Sequence, residues 1–235
     1  MNTDATAADA PPPGVRTISL AEPGSTRIVL VRHGEADCNV AGVVGGPTGC
    51  TGLSPAGVGE AEALRDRLVS SGELAAAAAV YASVLPRALQ TAAICAPGLG
   101  GRAAVADCEL CELHPGEADG LTWAEFTARY GGPNWDEDPD AELAPGAESW
   151  TGFVDRVGRA LAATAARHPG QTAVIFCHGG VIEASFEALF PVDPGRGRLK
   201  LRTAHTSLTE WELGPGGWLL LRYNDAAHLA GRPLP

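Results

Sequence analysis

The sequence lacks several features, and each absence excludes a class of protein. No stretch approaches the roughly eighteen uninterrupted apolar residues of a membrane-spanning helix, and the first residues lack the basic start and apolar middle of a secretory signal. We therefore expect a cytoplasmic protein without a membrane partner. Lysine and arginine number 17 against 28 aspartate and glutamate residues, giving a net charge of −11, and no basic cluster interrupts this acidity. Because nucleic acids bind positive surfaces, we expect no nucleic-acid partner either.

Cysteine is sparse as well, with six residues that are scattered singly except for Cys108 and Cys111. Their two-residue spacing occurs in metal and redox sites, but no second pair accompanies it. The paired histidine spacing H-x-x-x-H, which is typical of metal-dependent hydrolases, is also missing. We therefore interpret the thiols as structural and predict that the protein uses no metal and no other cofactor. Four histidines are interpreted as packed or exposed structural residues: His114, His168, His205 and His228.

The chain does contain an apolar run that ends abruptly in polar residues. Residues 28–31 form an unbroken aliphatic stretch, which is typical of a strand buried on both faces of a parallel sheet. Arg32 and His33 follow at once, so we expect them at the carboxyl edge of the sheet, where open α/β sheets bind ligands. Gly34 lacks the Cβ that would keep the backbone away from a ligand.

The same pattern recurs twice further along the chain. The apolar residues 172–177 end in His178 and two glycines, and a short predicted strand at 79–82 precedes a helix that opens at Ser83 and carries Arg87. Because the carboxyl ends of parallel strands meet at one edge, these side chains are predicted to converge with those that follow the first strand.

Five motifs in a fixed order resemble the histidine phosphatase superfamily, which includes cofactor-dependent phosphoglycerate mutases and many small-molecule phosphatases. The resemblance covers residues from about 26 to about 230. The motifs are Arg32-His33-Gly34-Glu35 with Asn39, Leu53-Ser54-Pro55-Ala56-Gly57, the run from Ser83 to Ala92 around Arg87, Leu110-Cys111-Glu112 with Gly116 and Gly120, and Cys177-His178-Gly179-Gly180.

The chemistry of these residues fits phosphoryl transfer. Hydrolysis of a phosphate monoester depends on managing charge at the phosphoryl oxygens, which Arg32, Arg87 and His178 can supply without a metal. His33 is the candidate nucleophile, since one ring nitrogen can attack phosphorus if the other donates its proton to a fixed acceptor. The resemblance implies that Glu112 is the acid that protonates the leaving group and then activates water. Asn39 and Gly179 are further candidates for phosphate or substrate contacts, together with Arg32, Arg87 and His178.

The pattern of the whole chain predicts an α/β fold, a three-layer α/β/α sandwich with a mostly parallel central sheet. Residues 1–24 are predicted to be a disordered tail, and residues 25–235 a single domain.

A lid-like insertion is expected around 113–147. Its acidic run is interpreted as a solvated loop, with selection of substrates by charge as the alternative. Helices are predicted from 55 to about 69, with Val58 on the apolar face, and from 150 to about 168; a hairpin is predicted at 207–223.

The leading functional prediction is a metal-independent phosphomonoesterase that acts on a small phosphorylated metabolite through a phosphohistidine. A mutase-type phosphotransferase and a non-catalytic phospholigand-binding protein are the alternatives. The segment 113–147 does not resemble the longer one with which phosphoglycerate mutases hold their substrate, which weakens the mutase alternative. Glu60 stands where many relatives have glutamine, and we interpret it as a surface change. The sequence leaves the identity of the substrate and a possible homodimer open.

Overall fold

The computed structural model describes residues 24–190 and 200–231 of the 235-residue chain. The predicted tail, residues 1–24, lies outside the described residues except for Gly24, as does most of the Pro/Gly-rich connection between 190 and 200. None of the helices within the described ranges has the length and apolar character that a bilayer crossing requires.

Six strands form one sheet around which the fold is built. In space they lie in the order β3-β2-β4-β1-β5-β6. The first four run parallel, β5 runs antiparallel to β1, and β5 and β6 form the predicted terminal hairpin. The strands are β1 (Thr26–Arg32), β2 (Ala79–Ala82), β3 (Val105–Ala106), β4 (Thr172–Cys177), β5 (Leu208–Gly214) and β6 (Gly217–Asp225).

Helices cover both faces of this sheet, as predicted. The side chains of β1 point alternately to the two sides: Ile28 and Leu30 join a core with α5 and α6, and Val29 and Val31 join one with α2 and α3. Two apolar layers therefore enclose the sheet, which gives three layers in all. The helices are α1 (Asp37–Ala41), α2 (Pro55–Ser71), α3 (Pro86–Cys95), α4 (Trp123–Tyr130), α5 (Trp150–Arg167) and α6 (Gly179–Leu189).

Helix α2 begins where the sequence predicts and ends two residues later. Ser54 caps it by accepting a hydrogen bond from the backbone N–H of Gly57, and Gly72 ends it in the left-handed conformation. The expectation that Val58 belongs to the apolar face is wrong, since its side chain is 38% exposed. Gly57 occupies that face instead, because a Cβ there would lie only 1.9 Å from the carbonyl oxygen of Glu35.

Helix α3 begins at Pro86, three residues later than predicted. Proline disfavours helical geometry in the residue before it, and Leu85 accordingly keeps an extended backbone. The hydroxyl of Ser83 accepts a hydrogen bond from the N–H of Leu85, so the serine orders the turn that leads into the helix. Arg87 is consequently in the first turn of α3, close to the sheet edge.

The segment 113–147 is more ordered than its composition suggests. It contains α4, a helix that is not predicted above from the sequence. Thr122 and Glu125 form a reciprocal capping box at the start of this helix, a local signal that could have revealed it. Phe126 packs in a small cluster of its own with Val44 and Ala118. Two short 3₁₀ helices, Cys108–Leu110 and Gly116–Ala118, flank the predicted acid Glu112.

Candidate active site

Two histidines lie side by side where neighbouring strands end. β1 and β4 are parallel and pair Arg32 with Cys177, so the residues that follow, His33 and His178, leave the sheet together. The backbone N–H of His33 donates to the carbonyl of Cys177 at 3.0 Å. The centroids of the two imidazole rings are 5.1 Å apart with an interplanar angle of 60°. The register of the sheet thus brings together two residues that are separated by 145 positions in the sequence, counted from their residue numbers.

Arg87 connects the two rings. Its Nε donates to Nε2 of His33 at 3.0 Å and to Nδ1 of His178 at 3.2 Å. Its Nη1 donates to the carbonyl oxygen of Gly45 at 2.7 Å, which fixes the guanidinium against the glycine-rich loop after α1. Because arginine only donates hydrogen bonds, both of these ring nitrogens must be acceptors. Neither imidazole can carry a proton there, so both rings are neutral in this arrangement.

The other nitrogen of His33 fixes its tautomer. Nδ1 donates to the carbonyl oxygen of Gly34 at 2.7 Å, which leaves the lone pair on Nε2. Burial, and then the positive charge of Arg87, hold the pKa of His33 well below the ordinary value of 6.5. Gly34 also meets a packing requirement, since a Cβ there would lie 2.5 Å from the carbonyl oxygen of Gly57.

Among the buried polar atoms that are unpaired within the described part of the chain, two are donors next to Arg87 and the histidine pair. They are Nε of Arg32 and Nε2 of His178. Because Nδ1 of His178 accepts from Arg87, Nε2 must carry the ring proton. Burial, and then Arg87, also hold the pKa of His178 well below 6.5. Arg32 is kept in place by a hydrogen bond from Nη1 to the carbonyl oxygen of Thr203.

Glu112 is held by the start of α6. Its Oε2 accepts a hydrogen bond from the N–H of Gly180 at 3.0 Å, and its Oε1 accepts one from the N–H of Leu113 at 3.1 Å. The contact requires glycine at 180, because a Cβ there would lie 2.1 Å from Oε1. Gly179 makes no such demand, since its Cβ would come no closer than 3.5 Å to Arg32. The two glycines after His178 therefore have different roles.

The turn that carries Glu112 is held in place by the ion pair between Arg156 and Glu148. Arg156 of α5 meets Glu148 through two hydrogen bonds of 2.7 Å. The same guanidinium donates to three successive parts of the turn, at 2.8, 3.0 and 3.2 Å; the acceptors are the carbonyl oxygens of Glu109, Cys111 and Glu112. A bidentate pair that also satisfies three backbone carbonyls fixes the backbone of the turn firmly.

A cavity of about 520 Å³ opens onto these groups. Arg32, His33, Arg87, Glu112 and Gly179 all line it. His178 is fully buried and is not among the residues that line the cavity, and its ring lies directly behind Arg87 and beside His33.

Asn39 also lines the cavity, but part of its side chain already has a role. Its Oδ1 accepts a hydrogen bond from the backbone N–H of Ala36 at 3.0 Å and so orders the start of α1. Only the amide nitrogen is left for a ligand, and it could donate to an anion.

Aromatic rings form one wall of the cavity. The rings of Trp135 and Trp150 are 5.7 Å apart, and those of Trp150 and Phe153 are 5.6 Å apart. The indole N–H of Trp135 donates to the carbonyl of Ala141, and that of Trp150 donates to the carboxylate of Glu187. The acidic residues at 136–142 are exposed and do not line the cavity, in agreement with a solvated loop. The wall that the 113–147 segment contributes is apolar rather than charged.

One expectation near the nucleophile is wrong. Glu60 is not a surface residue: its side chain is only 12% exposed, and it accepts a hydrogen bond from the N–H of Glu35 at 2.8 Å. Its carboxylate lies 3.7 Å from Nδ1 of His205, whose ring is 5.8 Å from that of His33. His205 is packed, as expected, but it packs against the site. The helical position of Glu60 gave no signal of this, because its partner lies far away in the chain.

Comparison with known proteins agrees with this geometry. Residues 28–226 match the histidine phosphatase superfamily (branch 1). The chain is 30% identical to the metal-independent phosphoserine phosphatase of Arabidopsis thaliana over 213 residues, covering 87% of this chain and 84% of that protein. It is also 30% identical to phosphoglycerate mutase-like protein 4 of the same plant, with 86% of each covered. A mycobacterial glucosyl-3-phosphoglycerate phosphatase, solved with VO3, superimposes with a TM-score of 0.71 at 26% identity, covering 85% of this chain and 99% of that one.

A sheet edge with two neutral imidazoles bridged by an arginine defines a phosphoryl-transfer protein of the histidine phosphatase type. The chain belongs to the histidine phosphatase superfamily, branch 1. The predicted family, the phosphoglycerate mutase-like fold and the class of phosphoric monoester hydrolase are confirmed.

Proposed function

We propose that this enzyme hydrolyses small phosphate monoesters without a metal, through a phosphohistidine formed on His33. The observation that carries this proposal is the sharing of the Arg87 Nε–H between Nε2 of His33 and Nδ1 of His178. It supports a neutral, oriented nucleophile beside a cation that is suited to phosphate. The low pKa of His33 keeps its lone pair available at neutral pH.

In the first step, phosphate binding frees the nucleophile. The lone pair on Nε2 of His33 is engaged by Arg87 when no substrate is bound. A phosphate oxygen is a stronger acceptor for the guanidinium than a neutral ring, because that hydrogen bond is charge-assisted on both sides. Substrate that takes over the Nε–H of Arg87 therefore releases Nε2 for attack on phosphorus. The new P–N bond forms as the P–O bond to the alcohol breaks.

The unpaired donors suit the other phosphoryl oxygens. Nε of Arg32 and Nε2–H of His178 are both buried without a hydrogen-bond partner among the described residues, and an unsatisfied buried donor is costly. We infer that phosphate, by drawing Arg87 away from the two rings, also opens Nε2–H of His178 to the cavity, and an anion that accepts from both donors then removes this cost. Donors that are in place before the reaction stabilise charge that develops in the transition state.

We assign proton donation to Glu112. It lines the same cavity as His33, and backbone N–H groups on both sides orient its carboxyl group. In acid form it protonates the alcohol oxygen as the P–O bond breaks. The resulting carboxylate then takes a proton from water, which attacks phosphorus, restores neutral His33 and releases inorganic phosphate.

The cavity favours an alcohol with a flat or apolar face. The ring wall of Trp135, Trp150 and Phe153 and the side chain of Leu113 give this surface, and the cavity is large enough for a ring-bearing group. The relatives named above act, by their names, on phosphoserine and on glucosyl-3-phosphoglycerate. For this chain the wall favours the bulkier kind of ester over one as small and polar as phosphoserine.

A quenched-turnover experiment tests the mechanism. Enzyme in EDTA is mixed with a radiolabelled monoester and stopped in base, and acid-labile, base-stable label is expected on His33. His33→Ala should retain the fold and lose both the label and the release of phosphate. Phosphate release that stops in EDTA, or that persists in His33→Ala, contradicts the proposal. Transfer of phosphate between positions of one substrate without release would instead indicate a mutase.

The cytoplasmic location remains a prediction beside this proposal. A possible homodimer and the closing of residues 113–147 as a lid stay open. None of them is needed for the chemistry described above.

A further inference from the structure

A second cluster of reactive side chains lies just before Glu112. Cys108 and Cys111 flank a 3₁₀ turn, and the next turn of chain brings His114 back towards them. The ligand atoms of all three lie within 4.8 Å of one another. The sequence analysis set this cysteine pair aside because no second pair exists. The structure adds a third ligand, a histidine that we had interpreted as structural.

The distances match those of a tetrahedral metal site. Sγ of Cys108 is 3.5 Å from Sγ of Cys111 and 3.6 Å from Nε2 of His114. Zinc binds thiolate sulfur at about 2.3 Å and imidazole nitrogen at about 2.0–2.1 Å, so ligand atoms at tetrahedral angles lie roughly 3.6–3.8 Å apart. We propose that Cys108, Cys111 and His114 form a binding site for Zn²⁺, with the fourth position open to water.

The groups behind these ligands have the arrangement that metal sites use. Nδ1 of His114 lies 3.5 Å from Oε2 of Glu148, which leaves Nε2 directed at the sulfur of Cys108. A carboxylate on the far nitrogen orients a ligating histidine and makes it a better donor to the metal. The hydroxyl of Ser83 donates to Sγ of Cys111 at 3.2 Å, a hydrogen bond that a thiolate accepts more strongly than a thiol.

The site is reachable from solvent and joined to the catalytic machinery. Cys108 is exposed and the side chain of His114 is 41% exposed, so a metal ion can enter. Glu148, which faces His114, is the carboxylate that Arg156 uses while holding the backbone of Glu112. Bound Zn²⁺ therefore stabilises the turn that carries Glu112, but it has no part in the proposed displacement at phosphorus.

A metal titration tests the site without relying on phosphatase activity. Reduced, metal-stripped protein is titrated with Zn²⁺ against a chromophoric chelator, and one equivalent per chain is expected. His114→Ala and Cys108→Ser should each lose that equivalent. Cys95→Ala is the matched control: this thiol is on the last residue of α3, buried in the core away from the cluster, and its loss should leave the equivalent in place. Absence of binding by wild-type protein, or equal binding by His114→Ala, would overturn the site.

Two further measurements define its chemistry. Co²⁺ in place of Zn²⁺ should give the sulfur charge-transfer and intense visible bands of a tetrahedral thiolate site, whereas a weak octahedral spectrum would contradict it. Glu148→Gln should keep the Zn²⁺ equivalent with about 10- to 100-fold weaker affinity, as expected for a residue that positions a ligand. Unchanged affinity would refute that positioning role. Because every readout is metal binding, the site can fail while phosphohistidine formation succeeds, and the reverse.

Discussion

Replacement of Gly180 by alanine separates proton donation from nucleophilic attack. A Cβ at this position would lie 2.1 Å from Oε1 of Glu112, and contacts below 3.0 Å are essentially never found for real Cβ atoms. The carboxyl group must therefore retreat by roughly 1 Å, and its hydrogen bond from the N–H of Gly180 is disturbed as well. His33 and Arg87 contact neither atom and keep their geometry.

The size of the effect follows from what a general acid contributes. Proton transfer by a positioned side chain accounts for about 10²- to 10⁴-fold in rate, or about 3–5 kcal/mol of activation free energy. A displacement of roughly 1 Å can forfeit about 10²-fold. We expect Gly180→Ala to lower kcat for an alkyl phosphate by about 10²-fold. For an aryl phosphate with an acidic phenol the loss should be much smaller, since that leaving group departs without a proton.

Gly179→Ala is the matched control for this experiment. Both glycines open α6, but a Cβ at 179 meets its nearest atom, Nε of Arg32, at an ordinary 3.5 Å. Any loss in this variant should be the same on both esters, because its Cβ approaches Arg32 and not Glu112, and thermal unfolding should show that both variants fold. Equal losses on alkyl and aryl phosphates by Gly180→Ala, or equal behaviour of the two variants, would refute the assignment of Glu112 as the acid.

Two other predictions concern the nucleophile and the aromatic wall. Because the pKa of His33 is lowered below 6.5, its neutral form persists as the pH falls through 6.5. After correction for substrate ionisation, the acid limb of the pH profile of kcat/KM should therefore lie below pH 6.5. An acid limb at or above pH 6.5 contradicts the inferred environment of His33. Trp135→Ala should raise KM for a ring-bearing monoester by about 10-fold and leave phosphoserine nearly unchanged, since only the former has a face to pack on the wall. Steady-state kinetics with Trp218→Ala, a tryptophan of β6 that does not line the cavity, provides the comparison.

The sheet and the convergence of the site could be predicted because the signals are local. The aliphatic runs of β1 and β4 specify buried parallel strands, and parallel strands must end at one edge. Arg32, His33 and His178 follow those strands at once, so their meeting required no knowledge of loops. Arg87 was predictable through the same logic, in the first turn of the helix that follows β2.

The remaining details depend on contacts that no local pattern encodes. The 3.7 Å approach of Glu60 to His205 joins residues 145 positions apart, by the difference of their numbers. The requirement for glycine at 34 comes from packing against α2, which only the folded chain shows. The meeting of His114 with the cysteine pair depends on the course of an irregular turn. Sequence periodicity predicts regular helices and strands, whereas these features arise where segments that are distant in the sequence come into contact.

The site combines several features that are unfavourable for folding and useful for one ligand. Neutral imidazoles in His33 and His178 are buried beside two guanidinium groups, and two further donors lack partners among the described residues. Each unsatisfied buried donor costs about 1–3 kcal/mol. A dianionic phosphoryl group offers acceptors to those donors and countercharge to Arg32 and Arg87 at once. The arrangement that weakens the unliganded fold is therefore the one that makes it complementary to phosphate, and the shared hydrogen bond of Arg87 ties that complementarity to release of the nucleophile.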